Sequence, residues 1–246
     1  MFKNQLKIII RKIISEVLNE PKRKSKYISD IGIQQDGGYD NIIKVYNEAN
    51  EEEKDYWGKW YISANSNVQD LTQEINYYPF NVVAAVVAVL SPGNKWKSNI
   101  NVAKKILSWK RDNPSSDEFP KVAAYSKNII KANNILDAYE NNNEISSEEI
   151  RQLVYGKKGI KVSIFYDSII NPEETEKNIK MVADGHAINI WRGIKTKLKG
   201  VHISDSSRKK MLQDYDRAAK ELGISVRALQ ATTWFIWKNL KNKVEK

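Results

Sequence analysis

The chain has 246 residues, of which 40 are Lys or Arg and 30 are Asp or Glu, giving a formal charge of +10, and it contains no cysteine. The missing cysteine excludes disulfides, thiol nucleophiles, zinc–cysteine sites and cysteine-bound iron–sulfur clusters. The length allows one large domain or two interlocked lobes, and the charge favours polyanions, nucleic acid before acidic membrane, although a Lys-, Asn- and Ile-rich composition also follows from an AT-rich genome.

The opening MFKNQLKIIIRKIISEVLNE places Phe2, Leu6, Ile9, Ile10, Ile13 and Val17 at helical spacing, and Arg11 and Lys12 interrupt the apolar run that a signal peptide needs. An amphipathic helix is expected there. Residues 20–40 are polar, basic and glycine-bearing, so residues 1–40 read as a helix and tether ahead of a helical body over 41–246. From there on, apolar and aromatic residues recur every three or four positions and strand-like alternation is scarce. Breaks are expected at Pro79, at SPGN (91–94), at RDNPSSDEFP (111–120), at ENNNEISSEE (140–149), at INPEET (170–175) and at KGVHISDSS (199–207). The run NVVAAVVAVL is about half a membrane span. Ser146 three residues before Glu149 predicts a capping box. No repeat of fixed period is visible, so the prediction is an all-α bundle of about ten helices.

Two later stretches carry chemistry. In GKKGIKVSIFYDSI, residues 156–169, Gly156 and Gly159 bracket a turn between helices whose backbone N–H groups suit a phosphate, and Lys157 and Lys158 add charge without sequence preference. Lys161 falls in the first turn of the next helix, whose Val162, Phe165 and Ile169 form an apolar stripe. A lysine near like charge and a helix N-terminus can serve as a nucleophile. In VADGHA, residues 182–187, Asp184 could shuttle protons or stabilise a developing sugar cation. The residues alone favour a lysine on a solvated face and an aspartate capping the helix that follows over a catalytic pair. AAKELGISVRALQ, residues 218–230, has the form of a helix-turn-helix that would expose Arg227 and Gln230 to a DNA groove, but its second helix continues through Trp234, Phe235 and Trp237, which suggests packing.

The segment GIKVSIFYDSI…KMVADGHAINIW, together with YPFNVVAAVVAVLSPGNKWKSNINVAKKIL (78–107), resembles the helix-hairpin-helix DNA glycosylase superfamily, which includes endonuclease III and the 8-oxoguanine glycosylases. Here the hairpin reads YGKKG in place of the family's LPGxG, and Gly93 stands where the family has a glutamine. The resemblance implies a two-lobed helical fold, with a core lobe over 78–192 and a second lobe from 41–77 and 193–246. It places the Schiff-base lysine at Lys161, the catalytic aspartate at Asp184, the phosphate-gripping hairpin at Gly156, Lys157, Lys158 and Gly159, and a histidine at His186. Trp96, His186, Gln230 and Trp234 are the candidates for a base pocket. Base flipping, glycosidic cleavage and AP-lyase activity on double-stranded DNA are then expected of an intracellular monomer, with no cofactor, metal or membrane. Two alternatives keep the fold: a viral enzyme of thymine hypermodification acting on an activated 5-hydroxymethyl base, and a DNA-binding module without catalysis.

Overall fold

A computed structural model describes residues 26–116, 118–155, 160–173, 181–198 and 201–242. The expected N-terminal helix and the hairpin Gly156, Lys157, Lys158, Gly159 lie outside the described residues. Eleven α-helices appear among the described residues: α1 (Tyr39–Asn47), α2 (Glu51–Gly58), α3 (Trp60–Ile75), α4 (Phe80–Leu90), α5 (Trp96–Asp112), α6 (Ser126–Asn141), α7 (Ser147–Tyr155), α8 (Ile160–Ile170), α9 (Gly185–Arg192), α10 (Asp205–Leu222) and α11 (Val226–Asn239). These residues form no β-strand, and Tyr27 and Lys241 make an isolated bridge. The protein is all-α, as its periodicity predicts, and each expected break falls at or near a helix end, while the breaks that separate α1, α2 and α3 at residues 48–50 and 59 were not expected.

The chain divides into two compact units, one of residues 60–184 with 225–227, the other of residues up to 59, 185–224 and from 228 onward. In the first, α4 is apolar on every side, and Val82 to Leu90 are each 1% exposed or less. A helix without a polar face must be enclosed, and α3, α5, α6, α7 and α8 all pack on it. Each enclosed Val or Leu contributes on the order of 1.5–3 kcal/mol. Asn99 of α5, itself buried, donates its amide to the Val87 carbonyl at 2.9 Å and so fixes α5 against α4.

The expected capping box opens α7. Glu149 N–H donates to Ser146 Oγ at 3.2 Å, and the Ser146 N–H donates to the Glu149 carboxylate at 2.8 Å. Hydrogen bonds from the Ser146 hydroxyl and then its N–H hold the Glu149 carboxyl below the ordinary range. Because the folded pKa is depressed, this contribution is present above the unfolded pKa and is lost as the pH falls through the folded one.

In the second unit, residues 34–41 clamp the end of α9. Asp36 N–H donates to the Arg192 carbonyl at 2.7 Å and Gly38 N–H to the Trp191 carbonyl at 2.9 Å. Asn41, fully buried in the first turn of α1, accepts from Gln34 N–H at 3.0 Å and donates to the carbonyls of Gln34 (2.7 Å) and Trp191 (3.3 Å). Gly193, at φ 69°, ends α9 where any Cβ would stand 2.0 Å from the Gln34 carbonyl oxygen. Trp191 Nε1 donates to Asp214 of α10 at 2.7 Å. Trp57 of α2 stacks on Phe235 of α11 at 3.8 Å between ring centroids. Lys195 closes the C-terminus of α11 by donating to the carbonyls of Trp237 (2.6 Å), Lys238 (3.2 Å) and Leu240, where the helix dipole favours a cation.

Truncating Asn41 removes three hydrogen bonds of this clamp and leaves the Gln34 N–H without an acceptor, while the Gln34 and Trp191 carbonyls keep the Gly37 and Gly38 N–H groups. Asn41→Ala is expected to lower stability by about 2–3 kcal/mol, read as a lower urea midpoint at unchanged m-value. A loss below about 0.5 kcal/mol, the size of an ordinary surface substitution, would contradict the clamp.

Candidate functional site

Lys161 and Asp184, the two residues expected to carry chemistry, belong to the same unit, and so does Trp96. Lys161 is half-buried in the first turn of α8. One turn further, Phe165 shares its helix face and joins an aromatic cluster with Trp60 and Tyr61 of α3 and Trp96 of α5. The Phe165 centroid lies 6.1 Å from Trp60, 6.3 Å from Tyr61 and 6.3 Å from Trp96, and Trp60 and Trp96 meet edge to face at 5.3 Å. Trp96 Nε1 donates to Asn67 of α3 at 3.2 Å. The middle of α8 is thus held by rings. Its far end is held by polar bonds: Asn65 donates to the Ile169 carbonyl at 2.7 Å and Arg227 to the Asn171 carbonyl.

Asp184 is half-buried and directly precedes α9, the position expected from the sequence. Its N–H donates to the Val182 carbonyl at 2.7 Å. Its charge is felt by Tyr61. Burial first, and the Asp184 carboxylate second, push the Tyr61 hydroxyl far above its ordinary pKa, and the Arg227 guanidinium partly offsets them. Tyr61, 6% exposed, therefore stays a neutral O–H throughout the physiological range. Through that ring the aromatic cluster beside Lys161 reaches the surroundings of Asp184.

The other base-pocket candidates belong to the other unit. His186 meets Trp234 edge to face at 5.8 Å, and the Lys238 ammonium lies 4.0 Å from the Trp234 ring centroid. Gln230, 7% exposed, sits one turn before Trp234 on α11. Arg227 is also buried, at 4% exposure. That burial corrects the helix-turn-helix alternative, in which both side chains face a groove. The left-handed Gly223 does end α10, at φ 67° and ψ 27°, but the helix after it turns these residues inward. The apolar stripe of α8 is as expected, with Ile169 in the core and Val162 and Phe165 packed against it.

Sequence reasoning missed Tyr61 and the burial of Arg227. Tyr61 lies in register with Ala64, Val68, Leu71 and Ile75, which marks it as core but says nothing of the charge near its hydroxyl. An open cleft of about 550 Å³ lies at the C-terminal end of α8, lined by Ile62, Asn65, Ile170, Asn171, Pro172 and Glu173. Neither Lys161 nor Asp184 lines it.

The described residues are all-helical, with Lys161 one turn from Phe165 of the aromatic cluster and the Asp184 charge acting on Tyr61 of the same cluster. The chain belongs to DUF7178, a family of unknown function, whose model matches residues 24–241. No curated protein and no solved structure matches it. Among the described residues no helix is long and apolar enough to cross a membrane.

Because the Asp184 charge disfavours the Tyr61 phenolate, Asp184→Asn is expected to move Tyr61 ionisation to lower pH. The readout is the tyrosinate absorbance titration, taken as the difference from Tyr61→Phe in each background. An unmoved Tyr61 titration would separate the two residues.

Proposed function

We propose that the protein is a DNA glycosylase-like enzyme in which the Lys161 amine attacks the C1′ carbon of a nucleotide whose base has been flipped from the duplex. A stacked base hides its glycosidic carbon, so extrusion has to precede attack. The Lys161 nitrogen forms a bond to C1′ as the C1′–N bond to the base breaks. The base leaves with the electron pair and takes up a proton, and the amine gives up its protons as the sugar opens to an imine. Asp184 serves as the carboxylate that stabilises positive charge on the sugar and relays the proton. The imine is then hydrolysed by water, or loses the 3′ phosphate by β-elimination, which breaks the strand.

One observation carries this reading: Tyr61 links Phe165, one turn from Lys161, with the charge of Asp184. The sequence resemblance to helix-hairpin-helix glycosylases supports the same roles, as does the net positive charge. Trp96, in the same cluster, is the proposed stacking ring for an extruded base, since base–aromatic stacking tolerates any base.

Borohydride reduction of the protein mixed with duplexes carrying uracil, 5-hydroxymethyluracil, thymine glycol, 8-oxoguanine or glucosylated pyrimidines should trap a covalent protein–DNA adduct on at least one of them. Lys161→Ala should abolish trapping while keeping DNA binding. Trapping that survives Lys161→Ala would overturn its role. A heavier nucleoside in place of a released base would point to the hypermodification chemistry instead, and binding without any product to a module without catalysis.

A further inference from the structure

A second concave site lies on the unit of residues 60–184, on the outer face of α5. It is an open groove of about 630 Å³ lined by Lys95, Lys97, Lys105 and Lys121, with Ser98 and Asn101 between the lysines and Val102, Val122 and Ala123 completing the lining. Lys97, Asn101 and Lys105 follow one another at four-residue spacing, so they stand on one face of α5. Lys95 directly precedes the helix, where the positive end of the dipole adds to the field. Lys121 arrives from the connection that follows α5.

Among the described residues, the charge of this groove is not balanced by ion pairs. Elsewhere on α5, Lys104 pairs with Glu74 and Lys110 with Asp137, the latter at 2.6 Å. None of the four groove lysines forms an ion pair with a described residue. All four side chains are exposed.

We infer that this groove binds the phosphodiester backbone of duplex DNA. From Lys97 to Lys105 the helix rises about 12 Å, which spans about three phosphates of one strand at about 3.4 Å each along the duplex axis. Hydroxyl and amide groups between the lysines suit phosphate oxygens, which accept hydrogen bonds without regard to sequence. A concave surface rimmed by four exposed lysines fits a strand ridge. A lipid surface calls for apolar tips that project outward. The groove shares no lining residue with the lysine–aspartate site, so it serves as a separate, sequence-independent hold on the substrate and stands whether or not Lys161 is a nucleophile.

The test is fluorescence anisotropy of a labelled, unmodified duplex titrated with full-length protein over a series of salt concentrations. Replacing Lys95, Lys97, Lys105 and Lys121 together by Gln should make the slope of log K against log salt shallower by about 3–4, at about 0.9 for each phosphate no longer neutralised. Lys104→Gln, the control on the same helix, should leave the slope unchanged, and circular dichroism should show every variant folded. The pair Lys97→Gln and Lys105→Gln gives an intermediate slope if the quadruple variant is unstable. An unchanged slope in folded quadruple or double variants would overturn the inference, as would loss of binding to phosphatidylglycerol vesicles with duplex binding intact. Lys161→Ala should keep the wild-type slope. Failure of trapping with the groove slope intact would therefore remove the proposed chemistry alone, and the converse would remove the groove alone.

Discussion

A helix with no polar side sets the terms for the unit that holds the candidate site. From Val82 to Leu90 the side chains of α4 are enclosed in every direction, and five helices supply the enclosure. Those five include the three that carry the proposed site: α3 with Tyr61, α5 with Trp96 and α8 with Lys161. Their order around α4 is fixed by close packing, because interiors are as dense as organic crystals and yield little to displacement. Placing a reacting amine within a fraction of an ångström of its target needs that kind of rigid support. The aromatic cluster of Trp60, Tyr61, Trp96 and Phe165 then transfers the order of the buried core to a half-exposed surface.

Much of this was legible in the sequence, for definite physical reasons. The unbroken apolar run 82–90, about half a membrane span, suits an element enclosed on all sides, and in the structure that element is a helix. Proline and Gly–Asn–Ser clusters marked the helix ends because they cannot continue the hydrogen-bond ladder or because they compete with it. The Ser146–Glu149 box was readable because it is made wholly from residues three apart. Asp184 ahead of a helix was readable for the same reason.

What stayed hidden depends on contacts distant in sequence. Asn41, in the first turn of α1, has the look of a solvated polar residue, but its amide holds backbone groups at Gln34 and at Trp191, 150 residues away. Arg227 would face outward in the helix-turn-helix alternative, whereas its hydrogen bond to the Asn171 carbonyl and its surroundings near Tyr61 hold it inside. The lysine groove joins Lys97 and Lys105, which helical spacing could have paired, to Lys121, which only the path of the chain after α5 brings near. Net charge pointed to a polyanion without locating where it would lie.

The proposed chemistry stands or falls on the identity of the amine that meets the sugar. After borohydride reduction of the protein with a duplex that supports trapping, proteolysis and tandem mass spectrometry of the adduct should find the deoxyribose remnant on the peptide containing Lys161, on that side chain. A remnant on another lysine or on the N-terminal amine would contradict the assignment and leave the Tyr61-centred cluster without its proposed chemistry.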